Sequence, residues 1–193
     1  MGTEKDADNT MLCSNSDGLT EALQQVRISL CAPCGQEGSP CWSHTQRPQR
    51  PNQLTQQILE KSPVYSQLLS GITLVSCRPG FVEYAMPVQD IHLNSHKTLH
   101  GSTSATIVDF LGGPVIASMS SDPLKVYRGV STDMSIQYLS AAKSGETLRI
   151  IGRSKKTGRH LAWIGVEIWS ARSDHAEARL AVEGSHTKFL GGK

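Results

Sequence analysis

Between Leu93 and Asp109 the chain reads Leu-Asn-Ser-His-Lys-Thr-Leu-His-Gly-Ser-Thr-Ser-Ala-Thr-Ile-Val-Asp, a stretch dense in residue types that do chemistry. Gly101 stands where a turn feeds the start of a helix. The first N–H groups of a helix lack intrahelical acceptors, and the helix dipole adds partial positive charge there. A backbone N–H at Gly101, with no Cβ to block a carbonyl, suits an oxyanion donor. Asp109 follows two turns deeper, among Ile107, Val108, Phe110 and Leu111. A carboxylate on so apolar a helix is costly unless it is paired or takes part in a reaction. The plainer reading of the same residues is a turn glycine and an aspartate hydrogen-bonded for structure alone.

The elements that position this stretch follow from composition and pattern. The chain has 193 residues, with Lys+Arg 19 against Asp+Glu 17, 38% hydrophobic and 5% aromatic. A net charge of +2 argues against nucleic-acid binding driven by overall charge. No apolar run reaches the roughly 18–20 residues of a membrane span, so no integral membrane segment is expected. Residues 1–52 hold four basic and six acidic groups and a single aromatic, Trp42. They read as a disordered N-terminal extension, although the apolar spacing over 19–30 allows a short amphipathic helix. Residues 53–193 carry the positive balance and read as one domain. Without a leader pattern, and with Asp6 where a myristoylation start needs Ser or Thr, the expected compartment is reducing. That means cytoplasmic, with mitochondrial as the alternative.

Periodicity predicts a helix over 53–69 that Pro63 interrupts or kinks. Strands follow at 72–77 and 81–86, and a central helix over 102–118, weakened or bent at Gly112-Gly113-Pro114. Four more strands fall near 127–138, 147–155, 160–170 and 178–188. In the third of these Ala162, Ile164, Val166 and Ile168 share one face and Leu161, Trp163, Glu167 and Trp169 the other; the last continues with Ala178, Leu180 and Val182. One curved antiparallel sheet wrapped round one helix, an α+β domain, fits this order.

Residues 98–109 resemble the His-Gly-Gly…Asp motif of hotdog-fold acyl-CoA thioesterases of the phenylacetate-pathway type. Segments 71–76 with Pro79-Gly80, 129–134, 138–146 and 184–188 follow in matching order, so the resemblance covers roughly residues 53–192. It implies hydrolysis of acyl-CoA to free acid and CoA with no metal or other cofactor. Asn94 then matches the asparagine that orients the thioester, and Gly101 the residue whose N–H polarises its carbonyl. Asp109 matches the general base on water, or the nucleophile, and Ser131 the serine that positions the water. His100 belongs to the motif in a supporting role. The family implies a homodimer or homotetramer with the site between subunits, Asn94 and Gly101 from one chain and Asp109 and Ser131 from the other. CoA is implied along Ser131 and Asp133, Tyr138 to Lys143, and a segment from Lys156 through Gly158 and Arg159. There Arg153, Lys155, Lys156 and Arg159 suit phosphates; a solvated basic hairpin is the plainer reading.

Three departures from the family pattern bear on this. Ser102 replaces the motif's second glycine, Gly112-Gly113-Pro114 sits where the family's central helix continues and a bend would reshape the acyl tunnel, and Phe189 stands where relatives carry a histidine near CoA. A short insertion falls near 173–176. Cys31, Cys34, Cys41 and His44 have zinc-ligand residue types at tight spacing, against the alternative of free thiols. Cys77 reads as a small packed hydrophobe; His92, His96, His160 and His175 read as surface residues, and Trp163 with Trp169 as an oligomer interface. The competing function is a non-catalytic acyl-CoA-, lipid- or partner-binding protein. A third is another acyl-CoA reaction on the same scaffold, although the acid–base pair of a hydratase is not found.

Overall fold

A computed structural model describes residues 49–172 and 177–191. The 19–30 stretch, the Cys31/Cys34/Cys41/His44 set, His175 and the 173–176 insertion lie outside the described residues. Helix α1 (Gln49–Lys61) begins inside the segment assigned to the N-terminal extension. It turns Leu54, Thr55 and Leu59 inward. Pro63 has no N–H to continue the ladder, so the chain breaks and restarts as α2 (Pro63–Leu68), with Ser62 as N-cap and Pro63 in the first turn.

The six strands are β1 (Thr73–Arg78), β2 (Phe81–Pro87), β3 (Val130–Tyr138), β4 (Thr147–Thr157), β5 (Leu161–Ala171) and β6 (Arg179–Phe189). They form one sheet in the order β1-β2-β4-β5-β6-β3, antiparallel throughout. Strand β3 starts at Val130 rather than 127 because Gly129 turns the chain at φ 74°, where a Cβ would meet the Phe189 carbonyl at 2.6 Å. Helix α3 (Gly101–Ser118) lies across one face of the sheet, with α1 and α2 also packed against it. This is the hotdog arrangement.

Helix α3 is apolar over most of its circumference, with a partly exposed stripe through Ser102, Thr106, Asp109 and Gly113. Ile107, Val108, Leu111 and Val115 meet Val82, Tyr84 and Met86 of β2, Leu148 and Ile150 of β4, and Ile164 and Ile168 of β5 in one core. As expected, one central helix forms, and α3 runs through Gly112-Gly113-Pro114 as a single element. Pro114 leaves the Phe110 carbonyl without its helical donor, and the surrounding packing outweighs that loss. The close fit is carried by missing Cβ atoms. On the sheet side, a Cβ at Gly152 would sit 2.7 Å from Val115 Cγ2. Among the described residues no helix is long and apolar enough to cross a membrane.

Two smaller sequence readings meet different outcomes. Cys77 is a half-buried free thiol packed against the core, and burial pushes its pKa up. His92, read as a surface residue, is buried; its Nδ1 accepts the Gln89 N–H at 3.0 Å and closes the short 3-10 turn Asp90–His92.

The loop into β4 is tied down by Glu146, which is buried. Its Oε2 accepts from Ser170 Oγ and Arg179 guanidinium at 2.6 Å each and from the Lys143 N–H at 3.0 Å. Burial pushes its pKa up, but these donors outweigh burial and hold it below the ordinary carboxylate value. A folded-state value below the unfolded one stabilises the fold above about pH 4.3 and is lost as pH falls through the folded value. Glu146→Gln is therefore expected to cost about 1.5–3 kcal/mol at pH 7. In urea unfolding measured against pH, the gap to wild type should close below about pH 4.3.

Candidate active site

The turn before α3 is built by Asn94. Its Oδ1 accepts the N–H groups of His96 and Thr98 at 2.9 and 3.1 Å, and its Nδ2 donates to Thr98 Oγ1 at 2.9 Å. One N–H of that amide is left over from these bonds. His100 is the N-cap of α3, its Nδ1 accepting the Ser102 N–H at 3.0 Å. Ser102 thus serves the cap instead of forming it, and its Oγ lies 2.8 Å from the same nitrogen. Gly101 is the first residue of the helix, where the N–H has no intrahelical acceptor. The Tyr138 hydroxyl donates to the Gly101 carbonyl at 3.2 Å, and its ring would touch a Cβ at Gly101 at 3.3 Å.

Asp109 belongs to a second cluster. Eight residues at 1.5 Å rise put it about 12 Å along α3 from Gly101, too far for both to act on one thioester within a single protomer. Tyr65 donates to Asp109 Oδ2 at 2.6 Å and Ser131 lies 3.0 Å from Oδ1. Each contact has a structural cause. The Ser62 cap fixes the turn that carries Tyr65, whose ring meets Phe110 edge-on at 5.7 Å. A bulge between Ser131 and Asp133 lets Ser131 and Met134 both share the helix-facing side, opposite Lys188 and His186 of β6.

His186 and Lys188 complete the cluster. His186 is fully buried; its Nδ1 lies 3.2 Å from the Val108 carbonyl and its Nε2 2.9 Å from Ser131 Oγ, while Lys188 Nζ donates to Ser131 Oγ at 3.3 Å. Burial first, then Lys188, lowers the imidazole pKa against the opposing pull of Asp109. A carbonyl only accepts, so Nδ1 carries the proton and the neutral ring offers Nε2 as an acceptor. The single proton of Ser131 then has two acceptors, Asp109 Oδ1 and His186 Nε2. The cluster is one donor short, and a water can supply it. Gly112 makes this packing feasible: a Cβ there would stand 2.7 Å from both His186 Nδ1 and Lys188 Cδ.

The residues expected to contact CoA divide between two faces of the sheet. Directly opposed residues point the same way, so Asp133, Thr187, Trp163 and Lys156 form one row across the face away from α3. There Lys156 Nζ lies 5.7 Å over the Trp163 ring, and Arg153 stacks on Phe81 at 4.7 Å. Gly158 closes the β4–β5 turn through its N–H to Leu161, and Lys143 is held by its backbone, its side chain exposed. Phe189 stacks on His160. Among the described residues no group of three or more His, Cys, Asp or Glu is placed to hold a metal ion.

Tyr65, His186 and Lys188 were not singled out from sequence. Stepping by two along β6 from Val182 reaches Gly184, His186 and Lys188, all buried, so a histidine and a lysine on a strand's inward face was the available signal. Tyr65 gave none, because its partner lies 44 residues away. A double-mutant cycle of Tyr65→Phe and Asp109→Asn, read by urea unfolding, should give a coupling of about 1 kcal/mol. Asp109 is 36% exposed, which holds the value down. Zero coupling would mean the bond is absent in solution.

Known proteins resemble this chain in sequence and fold. Residues 96–176 match the thioesterase superfamily. The chain is 37% identical over 133 residues to acyl-coenzyme A thioesterase 13 of Homo sapiens, covering 69% of this chain and 89% of that protein. The crystal structure of zebra fish thioesterase superfamily member 2 superposes with a TM-score of 0.63 at 35% identity, covering 72% of this chain and 97% of that one. A Streptococcus mutans UA159 protein bound to acetyl CoA gives 0.54 at 29% identity over 63% and 90%. With a hotdog sheet round its helix and this identity over most of both chains, the chain belongs to the thioesterase superfamily.

Proposed function

We propose that this chain is an acyl-CoA thioesterase that hydrolyses acyl-CoA to the free acid and CoA, with each active site shared between two copies. The observation that carries the reading is Asp109. It is a carboxylate on the central helix, held by Tyr65 and Ser131, at the wall of a cleft and beside a cluster one donor short. Family membership and the acyl-CoA thioesterase name of its human relative support the same substrate class.

In this reading the thioester carbonyl lies at the N-terminus of α3 of one protomer. The Gly101 N–H polarises it, and the remaining N–H of Asn94 orients it. Asp109 and Ser131 of the neighbouring protomer hold a water. Its oxygen attacks the carbonyl carbon while its proton passes to Asp109. The tetrahedral oxyanion rests on the Gly101 N–H, the C–S bond then breaks, and the sulfur leaves with the proton from Asp109. Water activation is favoured over direct attack by Asp109, because both carboxylate oxygens lie within hydrogen-bond reach of hydroxyls, Tyr65 at Oδ2 and Ser131 at Oδ1. His100 holds the helix cap that presents Gly101.

Sharing between copies rests on the 12 Å spacing along α3 and on β3. That strand ends the sheet, and nearly all its residues are exposed, including Val130, Met134 and Tyr138. An edge of that kind pairs readily with a second copy, and the outer face carrying Trp163 suits a further pairing into a tetramer. The pantetheine and phosphates of CoA run over Asp133, Tyr138, Lys143 and the turn through Lys156, Gly158 and Arg159.

Thiol release across a series of acyl-CoA chain lengths tests the reading. Asp109→Asn should lower kcat by about 100- to 10,000-fold with KM little changed. Release equal to wild type would remove Asp109 from the chemistry. Release from no substrate by wild type would favour a protein that binds acyl-CoA without cleaving it. Charge reversal at Lys156 and Arg159 together is expected to raise KM about tenfold or more while kcat holds; an unchanged KM would detach that turn from CoA.

A further inference from the structure

Gly112 and Gly113 stand three and four residues after Asp109, so both lie on its side of α3. A Cβ at Gly112 would fall 2.7 Å from Lys188 Cδ, and one at Gly113 would fall 3.3 Å from Arg128 Cδ and 3.7 Å from Arg128 Nε. The bare helix surface lets two cationic side chains lie flat beside the carboxylate. Lys61, in the last turn of α1, lines the same cleft, which encloses about 230 Å³ and takes Ile58, Tyr65 and Phe110 as its less polar wall. Three cations thus face one carboxylate, and that carboxylate already has Tyr65 and Ser131 as donors. Among the described residues neither Lys61 nor Arg128 is in an ion pair. Burial lowers the Lys188 pKa, Asp109 opposes this, and Arg128 lowers it further, so the cations also repel one another. The cleft is short of negative charge.

We infer that this cleft receives the acyl group of the substrate and that the acyl groups it selects carry a carboxylate at their far end, with Arg128 as the selecting residue. The inference rests on the thioesterase reading and names the substrate class for it. A guanidinium meets a carboxylate through two parallel N–H donors, which a methyl terminus cannot accept. The volume is below the roughly 300–1,000 Å³ of a drug-sized site, so a short acyl chain fits. The phosphates of CoA are the other source of anionic charge. They are the less suited occupant, because Asp109 forms part of this wall while Lys156 lies on the opposite face of the sheet.

The test compares substrates of equal chain length: glutaryl-CoA against pentanoyl-CoA, and adipyl-CoA against hexanoyl-CoA. Wild type is expected to favour the carboxylated member in kcat/KM by about tenfold or more, the worth of one charge-assisted hydrogen bond. Arg128→Gln should cut that ratio about tenfold, Lys61→Gln less, and Arg128→Lys should restore part of it. A ratio near one in wild type overturns the inference. So does an equal loss for both members in Arg128→Gln, which would assign the charge to CoA phosphate. If wild type cleaves no thioester, the thioesterase reading falls. The Kd ratio of the same pairs, measured by calorimetry on wild type and Arg128→Gln, then decides whether the cleft selects a carboxylate.

Discussion

Asp109 imposes the constraint round which the described residues are arranged. It is a charged group on a helix whose other neighbours are apolar, and burying part of a carboxylate is tolerable only when donors meet it. The two donors come from separate places, the short helix α2 and the edge strand β3, and Ser131 is in turn held by the last strand β6. Each is held for a local reason. Ser62 and Pro63 restart the helix at the angle that brings Tyr65 over Phe110, a bulge turns Ser131 inward, and Gly112 leaves room for His186 and Lys188. Strand pairing fixes the register of β3 against β6, and the register brings Ser131, His186 and Lys188 together.

The helix carrying Asp109 also separates the two requirements of the proposed reaction. Its N-terminus supplies unpaired N–H groups and its third turn supplies the carboxylate, and an α-helix is too stiff to bring them together. In the proposed arrangement a second copy of the chain would meet both requirements without deforming the helix.

Much of this was legible in the sequence. The two-residue alternation from Ala162 to Ile168 marked the inward face of β5, and Pro63 marked the break between α1 and α2. The Gly101 and Asp109 spacing placed one residue at the helix start and the other two turns in. What could not be read was whatever depends on a neighbour distant in sequence. Gly112-Gly113-Pro114 carries a local signal for a bent helix, yet the glycines act by clearance, and only the residues packed opposite show what they clear. His92 lies in a loop by pattern but is buried, because it folds back to close a turn. Tyr65 looks like any aromatic on a short helix until Asp109 is placed beneath it.

The exposed edge of β3 has a meaning beyond the proposed site. A row of unpaired backbone groups flanked by Val130, Met134 and Tyr138 will accept any extended segment that reaches it first. On the proposed pairing, a like copy and an unfolding stranger would compete for one surface, with concentration setting the winner. On the proposed pairing of copies, a change that weakens it would leave this edge open to aggregation.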